Sequence, residues 1–559
     1  MYGCGGNRIS GEVISGRQAT SADFSPFSQM AHKYFLTCLH HVHHSSRPDA
    51  ERALMTRHHP TALRRSALIA AAALTVGAAA TLAAPGAGAA TQPGTPKLDL
   101  IAASTSVTLD RYQGEAGVYL NLGTYVTVDG GPLEMRVTRK SYNDPIVASQ
   151  VIHSGGRTVT KTLPKDLVKD FSGLPDFLKV GISDASGAKV ADTTQSFCPN
   201  NRAGRIRPDA PATSNYPESC SGNPFTLGGV WGVEKGWAAA TSQGFREGDT
   251  VDLPAGVYTA KVSVAKKYRD LFGMPDKTQT IKVTVRQDSG GGHGLTGAGR
   301  GRKNASKSPQ PAAHRPVGRA TVPADAPKPD LRALPAYGIA ITNGDEGGVG
   351  AAPGKDYLAF SATVWNGGPS PLVVDGFRKP GAEKMDAYQY FYDAKGKQVG
   401  YTPTGTMEWD PRDGHQHWHF SDFASYRLLG ADKREIVRSG KEAFCLANTD
   451  AIDYTVKNAN WHPYNTDLAT ACGEETAVSV REVLDVGNGD TYSQYRPGQS
   501  FDVSDLPNGT YYIQVIANPD NRLKEQSTAN NITYRKVVLG GTPGARTVTV
   551  PKYGLIDAP

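Results

Sequence analysis

The chain has 559 residues, of which 39% are hydrophobic and 20% charged. It is too long for one ordinary domain and apolar enough for folded cores. The formal net charge of +7 invites a nucleic-acid reading, but residues 1–90 and 288–327 each carry +4, leaving about −1 elsewhere. A nucleic-acid footprint is a basic face on a folded domain, so the distribution argues against DNA or RNA as a partner.

Taken from the N-terminus, residues 1–54 are rich in Gly, Ser and His and have no period. They read as an upstream segment ahead of a second start-like residue, Met55. His40, His41, His43 and His44 are expected to have no role there. Residues 55–90 read as a signal peptide. Arg57, Arg64 and Arg65 precede an apolar run from Ala67 to Ala84, and Ala87-Gly88-Ala89-Ala90 gives an A-x-A-like cleavage site. The expected mature chain is secreted or cell-surface, with no stable membrane span after cleavage. A retained anchor is the alternative, and the Arg64-Arg65 pair leaves Sec and Tat export both open.

Residues 91–287 read as an N-terminal β module of unknown role. Tyr125-Val-Thr-Val, Met135-Arg-Val-Thr and Ile281-Lys-Val-Thr-Val alternate as half-buried strands do. Residues 288–327 are Gly-rich, then Pro-, Ala- and Lys/Arg-rich. Such a composition buries too little apolar surface to offset ordering entropy, so it reads as a flexible linker. Residues 328–559 form the second module, with Phe360-Ser-Ala-Thr-Val-Trp, Tyr388–Tyr392 and Thr510–Ala517 as strands. Asp252-Leu-Pro-Ala-Gly-Val-Tyr is echoed by Asp505-Leu-Pro-Asn-Gly-Thr-Tyr, each a Pro-Gly turn entering a strand, as near the end of β-sandwich domains. The fold class is mainly β: two β-sandwich-like modules joined by a disordered linker.

Without the leader, four cysteines remain, Cys198, Cys220, Cys445 and Cys472, an even number in an exported chain. They allow three pairings. Cys198–Cys220 with Cys445–Cys472 is preferred because it keeps each bridge inside one module.

The chemistry is concentrated in His415-Gln416-His417-Trp418-His419. On a strand, side chains at i, i+2 and i+4 share one face, so three imidazoles would converge there. Imidazole suits zinc, copper, iron and nickel, and three His without a carboxylate leave room for water or substrate. A structural metal clip is the bland alternative. A zinc hydrolase or a cupin-type dioxygenase is another, though a cupin normally follows its His-x-His with a glutamate, and Phe420-Ser421-Asp422-Phe423 stands here.

After the triplet come Ser421-Asp422-Phe423-Ala424-Ser425-Tyr426, then Gly440-Lys441-Glu442-Ala443-Phe444-Cys445, Asp490-Thr491-Tyr492, and near the end Asn518-Pro519, Glu525 and Asn530-Asn531. This ordered set, over roughly residues 330–540, resembles the catalytic domain of the lysyl oxidase family of copper amine oxidases. The resemblance implies that His415, His417 and His419 bind copper and that Lys441 and Tyr492 fuse into a lysine tyrosylquinone. It further implies oxidation of primary amines, peptidyl lysine among them, to aldehydes by O2, releasing ammonia and hydrogen peroxide. Asp490 and Asp422 are the candidates for the base, the bland alternative for each being a turn or hydrogen-bonding residue. Taken alone, Lys441 is an ordinary surface lysine and Tyr492 a packing residue. Departures from the family are a longer stretch from Trp409 to His415, Ser425 where a histidine is often found, and fewer cysteines. A copper-binding cell-surface or matrix-interaction protein that has lost the quinone is the runner-up.

Overall fold

The computed structural model describes residues 94–559 except 113–115, 243–249, 289–314, 344–351, 353, 413–414, 441–442, 464–469 and 495–499. The upstream segment, the signal, most of the predicted linker and Lys441 therefore lie outside the described residues.

The fold is mainly β, and Lys266–Phe272 is the one helix among the described residues. Alternation drives it. Thr124–Asp129 turns Thr124, Val126 and Val128 inward, and Gly256–Val264 turns Tyr258, Ala260, Val262 and Val264 inward. A five-stranded sheet centred on Gly256–Val264 and two four-stranded sheets bury one core that includes Val126, Val180, Ala260, Ile281 and Trp231. At the edge, Arg157–Thr162 is exposed throughout. Its alternating Thr and basic residues are of the kind that blunt an open strand edge.

Three sheets enclose the second core, which includes Phe360, Trp418, Phe420, Phe444 and Val515. In the first, Asp356–Asn366 pairs with Leu331–Ala333, Tyr337–Asn343 and Asn488–Gln494. The second runs Ala443–Phe444, His417–Ser421, Gln398–Asp410, Lys384–Tyr392, Leu372–Arg378, Ser479–Leu484. Its two ends approach each other through residues 471 and 472: the Trp418 N–H donates to Cys472 O at 3.1 Å, and Ala471 bridges Arg481. This gives polar edge groups partners that an open sheet would lack. The third sheet runs Glu435–Arg438, Ala424–Leu429, Gly509–Ala517, Ile532–Thr542, Ala545–Thr549.

The sequence echo has a structural counterpart. Tyr258 donates its hydroxyl to Pro254 O at 2.9 Å, and Tyr511 donates to Pro507 O at 2.7 Å. Each tyrosine thus straps the Pro-Gly turn that starts its strand, in the manner of a sandwich tyrosine corner. Both preferred disulfides are present, Cys198–Cys220 and Cys445–Cys472. By loop-closure entropy, each is worth about 3 kcal/mol.

The picture of a freely flexible linker needs correction at its end. Thr321 bridges Tyr401, Tyr401 donates to Gly318 O at 2.7 Å, and Arg315 Nε donates to the Tyr388 hydroxyl at 2.6 Å. Two tyrosines of the second sheet thus offer partners that composition alone does not reveal. The modules also meet directly: Leu227 N donates to Ile452 O at 2.8 Å, and Tyr454 N donates to Gly228 O at 2.8 Å.

Candidate metal centre

The three histidines come together, but not as alternate residues of one strand. The strand covers His417–Ser421. Gln416 has φ +44°, a left-handed conformation that ends the extended run, and His415 N donates to Arg412 O at 2.9 Å in the preceding turn. The turn still delivers the His415 ring to its partners. Ring centroids lie 5.9 Å apart for His415–His417, 5.4 Å for His415–His419 and 4.7 Å for His417–His419. One ligand nitrogen from each ring falls within 4.8 Å of the others. His419 is buried and the other two are half-buried. Trp418 points the other way into the core, where it is fully buried and donates its indole N–H to Glu474 O at 3.0 Å. An all-imidazole donor set this close together, open on the side of two half-buried rings, fits a first-row metal such as copper.

Asp410 ends the neighbouring strand and lies opposite His417 in register. Its Oδ2 is 3.2 Å from His415 Nδ1 and 3.4 Å from His419 Nδ1. Burial works against its ionisation. The Arg412 side chain and backbone N–H, with the two histidines, outweigh that and hold the carboxyl well below the usual carboxylate range. The resulting anion favours the tautomer protonated on Nδ1 in both rings and leaves Nε2 as donor, the usual role of a carboxylate behind a metal-binding histidine. Sequence reasoning missed Asp410. Only the hairpin register exposes it, and the long Trp409–His415 connection hides that register.

Tyr492 lies on the strand Asn488–Gln494. Its ring meets Phe444 edge-on at 4.6 Å, and its hydroxyl donates to Cys445 O at 2.5 Å. Cys445 is bonded to Cys472, whose carbonyl accepts the N–H of Trp418 between His417 and His419. The disulfide therefore ties the tyrosine hydroxyl to the histidine strand. Tyr492 as a residue is half-buried, and its hydroxyl is enclosed. Burial, then the nearby Asp490 and Glu482 carboxylates, push the phenol pKa well up. Lys441 is outside the described residues. Ala443, two positions on, pairs with Ser421 at the end of the histidine strand.

Asp490 is 2% exposed, close enough to Tyr492 and Tyr426 to raise both phenols. Asp422 is placed differently. It sits in a left-handed turn at φ +60° and pairs with Arg522 at 2.8 Å. Glu482 was not anticipated. It is fully buried, accepts from Leu446 N at 3.0 Å, and its carboxyl is pushed well up by burial, with Asp490 adding to the shift. The available signal was its place between Val480 and Leu484, an acid on an otherwise apolar strand face.

Residues 393–546 match the family model described as lysyl oxidase. Lysyl oxidase homolog 2 of Xenopus tropicalis is 29% identical over 139 residues, covering 24% of this chain and 16% of that protein. The human lysyl oxidase homolog 2 is 28% identical over 129 residues, 23% of this chain and 15% of that one. Protein-lysine 6-oxidase of Sus scrofa is 29% identical over 126 residues, 22% of this chain and 44% of that protein. The matched stretch thus spans less than half the length of each of these relatives.

Proposed function

Through residues 393–546 the chain belongs to the lysyl oxidase family, and on that footing we propose that it is an exported copper-dependent amine oxidase that converts primary amines, peptidyl lysine among them, to aldehydes. The balanced reaction consumes one O2 and one water and returns one ammonia and one hydrogen peroxide per amine. Copper with a lysine tyrosylquinone built from Lys441 and Tyr492 supplies the electron sink that no unmodified side chain provides.

This chain's own residues supply the setting. His415, His417 and His419 hold the metal, and Asp410 orients two of the rings. Phe444 packs against Tyr492 edge-on, while the Cys445 carbonyl accepts the hydrogen bond of its hydroxyl. Asp490, buried beside Tyr492, is the carboxylate we assign as the base for the amine carbon. Glu482 stands beside it, its carboxyl pushed well up by burial. Asp422 is engaged with Arg522 and is set aside as a base. Export rests on the Arg-led apolar segment 55–90 and on the two disulfides, which persist in oxidising compartments. No helix among the described residues is long and apolar enough to cross a membrane.

The observation that carries the reading is the link from three converging histidines, through Cys445–Cys472, to the hydroxyl of Tyr492. Its test is metal analysis of the purified chain followed by peroxide release from a panel of primary amines. Copper with amine-dependent peroxide is expected. Zinc or iron at the site, or copper without peroxide from any amine, would contradict it; the latter would favour a copper-binding surface protein.

A further inference from the structure

The first module carries none of the three clustered histidines, yet its loop 221–228 reaches both elements that flank the tyrosine strand, Asp356–Asn366 and residues 449–454. Asn223 is 3% exposed and donates Nδ2 to Thr363 Oγ1 at 3.1 Å and to the Tyr337 hydroxyl at 3.3 Å. Thr363 is fully buried and lies directly across from Thr491, with their hydroxyl oxygens 2.7 Å apart. Thr491 in turn donates to Asp450. Thr491 is the residue between Asp490 and Tyr492. One side-chain chain thus runs from the first module to the middle of the Asp-Thr-Tyr motif.

A second path runs through the backbone. Leu227 N donates to Ile452 O and Tyr454 N to Gly228 O, while Ile452 N donates to Gly487 O at 3.0 Å and Thr449 N to Gly489 O at 2.9 Å. Thr226 Oγ1 adds a bond to Ala451 O at 3.1 Å. Residues 449–454 are therefore a shared rung, bonded to the first module on one side and to the start of the tyrosine strand on the other. Phe225, Trp365, Ile452 and Ile556 pack around it. Buried polar networks of this kind fix one arrangement when every member is satisfied.

We propose that the first module completes the tyrosine site: its 221–228 loop, acting through Thr363 and the 449–454 rung, fixes the Asp490-Thr491-Tyr492 strand. Asn223 and Thr363 are positioning residues for Tyr492. The proposal rests on Tyr492 being the cofactor precursor for its catalytic consequence, and on the hydrogen bonds alone for its structural one.

The test uses the full chain and three variants: Asn223→Ala, Thr363→Val, which keeps shape and loses the hydroxyl, and Thr363→Ser, which keeps the hydroxyl. Amide hydrogen exchange is measured on metal-free protein, and copper content and phenylhydrazine-reactive quinone on copper-loaded protein. Losing one link should speed exchange of peptide 487–494 by roughly three- to tenfold, with peptide 417–421 unchanged. Quinone yield should fall at unchanged copper content in N223A and T363V and return in T363S. Effects of N223A and T363V should be less than additive, since both break one chain. Unchanged exchange of 487–494 in both N223A and T363V would overturn the proposal, whatever the quinone yield. If exchange responds but wild-type protein forms no quinone, the cofactor reading fails and the positioning stands.

Discussion

Asp410 does at the residue scale what the histidines cannot do for themselves. Its Oδ2 faces Nδ1 of both His415 and His419. Asp410→Asn removes the anion while keeping the shape, and a supporting partner of this kind typically contributes 10–100-fold to metal affinity. The variant should therefore weaken copper binding by about that factor in a competitive chelator titration, with the fold intact; unchanged affinity would remove Asp410 from the centre. His417 lies between the other two histidines in sequence and opposite Asp410 in register. His417→Ala should leave copper content at a small fraction of wild type by metal analysis, and full occupancy would mean that the triplet is not the site. The convergence of the three imidazoles was legible from residues 415–419. The route was not: Gln416 adopts a left-handed turn, so His415 reaches the site from outside the strand. Glu482 and Asp410 were missed because both owe their importance to register and burial, which local patterning does not encode.

Among the elements, the tyrosine strand Asn488–Gln494 is held by a disulfide-anchored carbonyl at Cys445, by Thr363 on its neighbour and by the 449–454 rung. Cys445 and Cys472 close a loop of 27 residues. Replacing both by serine should lower stability by about 3 kcal/mol in chemical denaturation and should lower quinone yield more than copper content. A Tyr492 site indifferent to the loss would deny the disulfide its tethering role. Asp485, in the turn before the tyrosine strand, is buried, and desolvation lifts its pKa to about 7 against an opposing hydrogen bond from Asn460. Its folded pKa thus exceeds its unfolded value near 4. The folded state binds the extra proton, so the stability it contributes is present in acid and is lost as pH rises from about 4 through 7. Asp485→Asn should gain stability relative to wild type over that window, measured as a difference in denaturant midpoint. A difference independent of pH would contradict the assignment. Alternation made strands such as Thr124–Asp129 and Gly256–Val264 readable. It could not give the pairing of Asn488–Gln494 with Asp356–Asn366, which joins segments over a hundred residues apart.

Across the whole molecule, the two modules and the approach to the second share polar contacts that composition does not announce. Residues 288–327 read as a flexible linker, and at the end of that stretch Arg315 and Thr321 find partners on Tyr388 and Tyr401. The mainly-β fold was visible because turns and strands recur in both halves, down to the strapped turns at Tyr258 and Tyr511. Their contact was not, because nothing in the local sequence marks Asn223 or Thr226 as a partner of the second module. Export is a molecule-scale expectation as well. The mature chain should begin near Ala90 or Thr91 and contain no free thiol, as N-terminal sequencing and non-reducing peptide mapping will tell. A retained leader or a reduced Cys445 would refute it. The central claim is that Lys441 and Tyr492 form one cofactor beside a copper site. Mass spectrometry of proteolysed, copper-matured protein tests it most directly. A cross-linked peptide pair holding both residues is expected in wild type and absent in Lys441→Arg and Tyr492→Phe, both of which keep copper and lose amine oxidation. Separate, unmodified Lys441 and Tyr492 peptides from a protein that still turns over amines would contradict it.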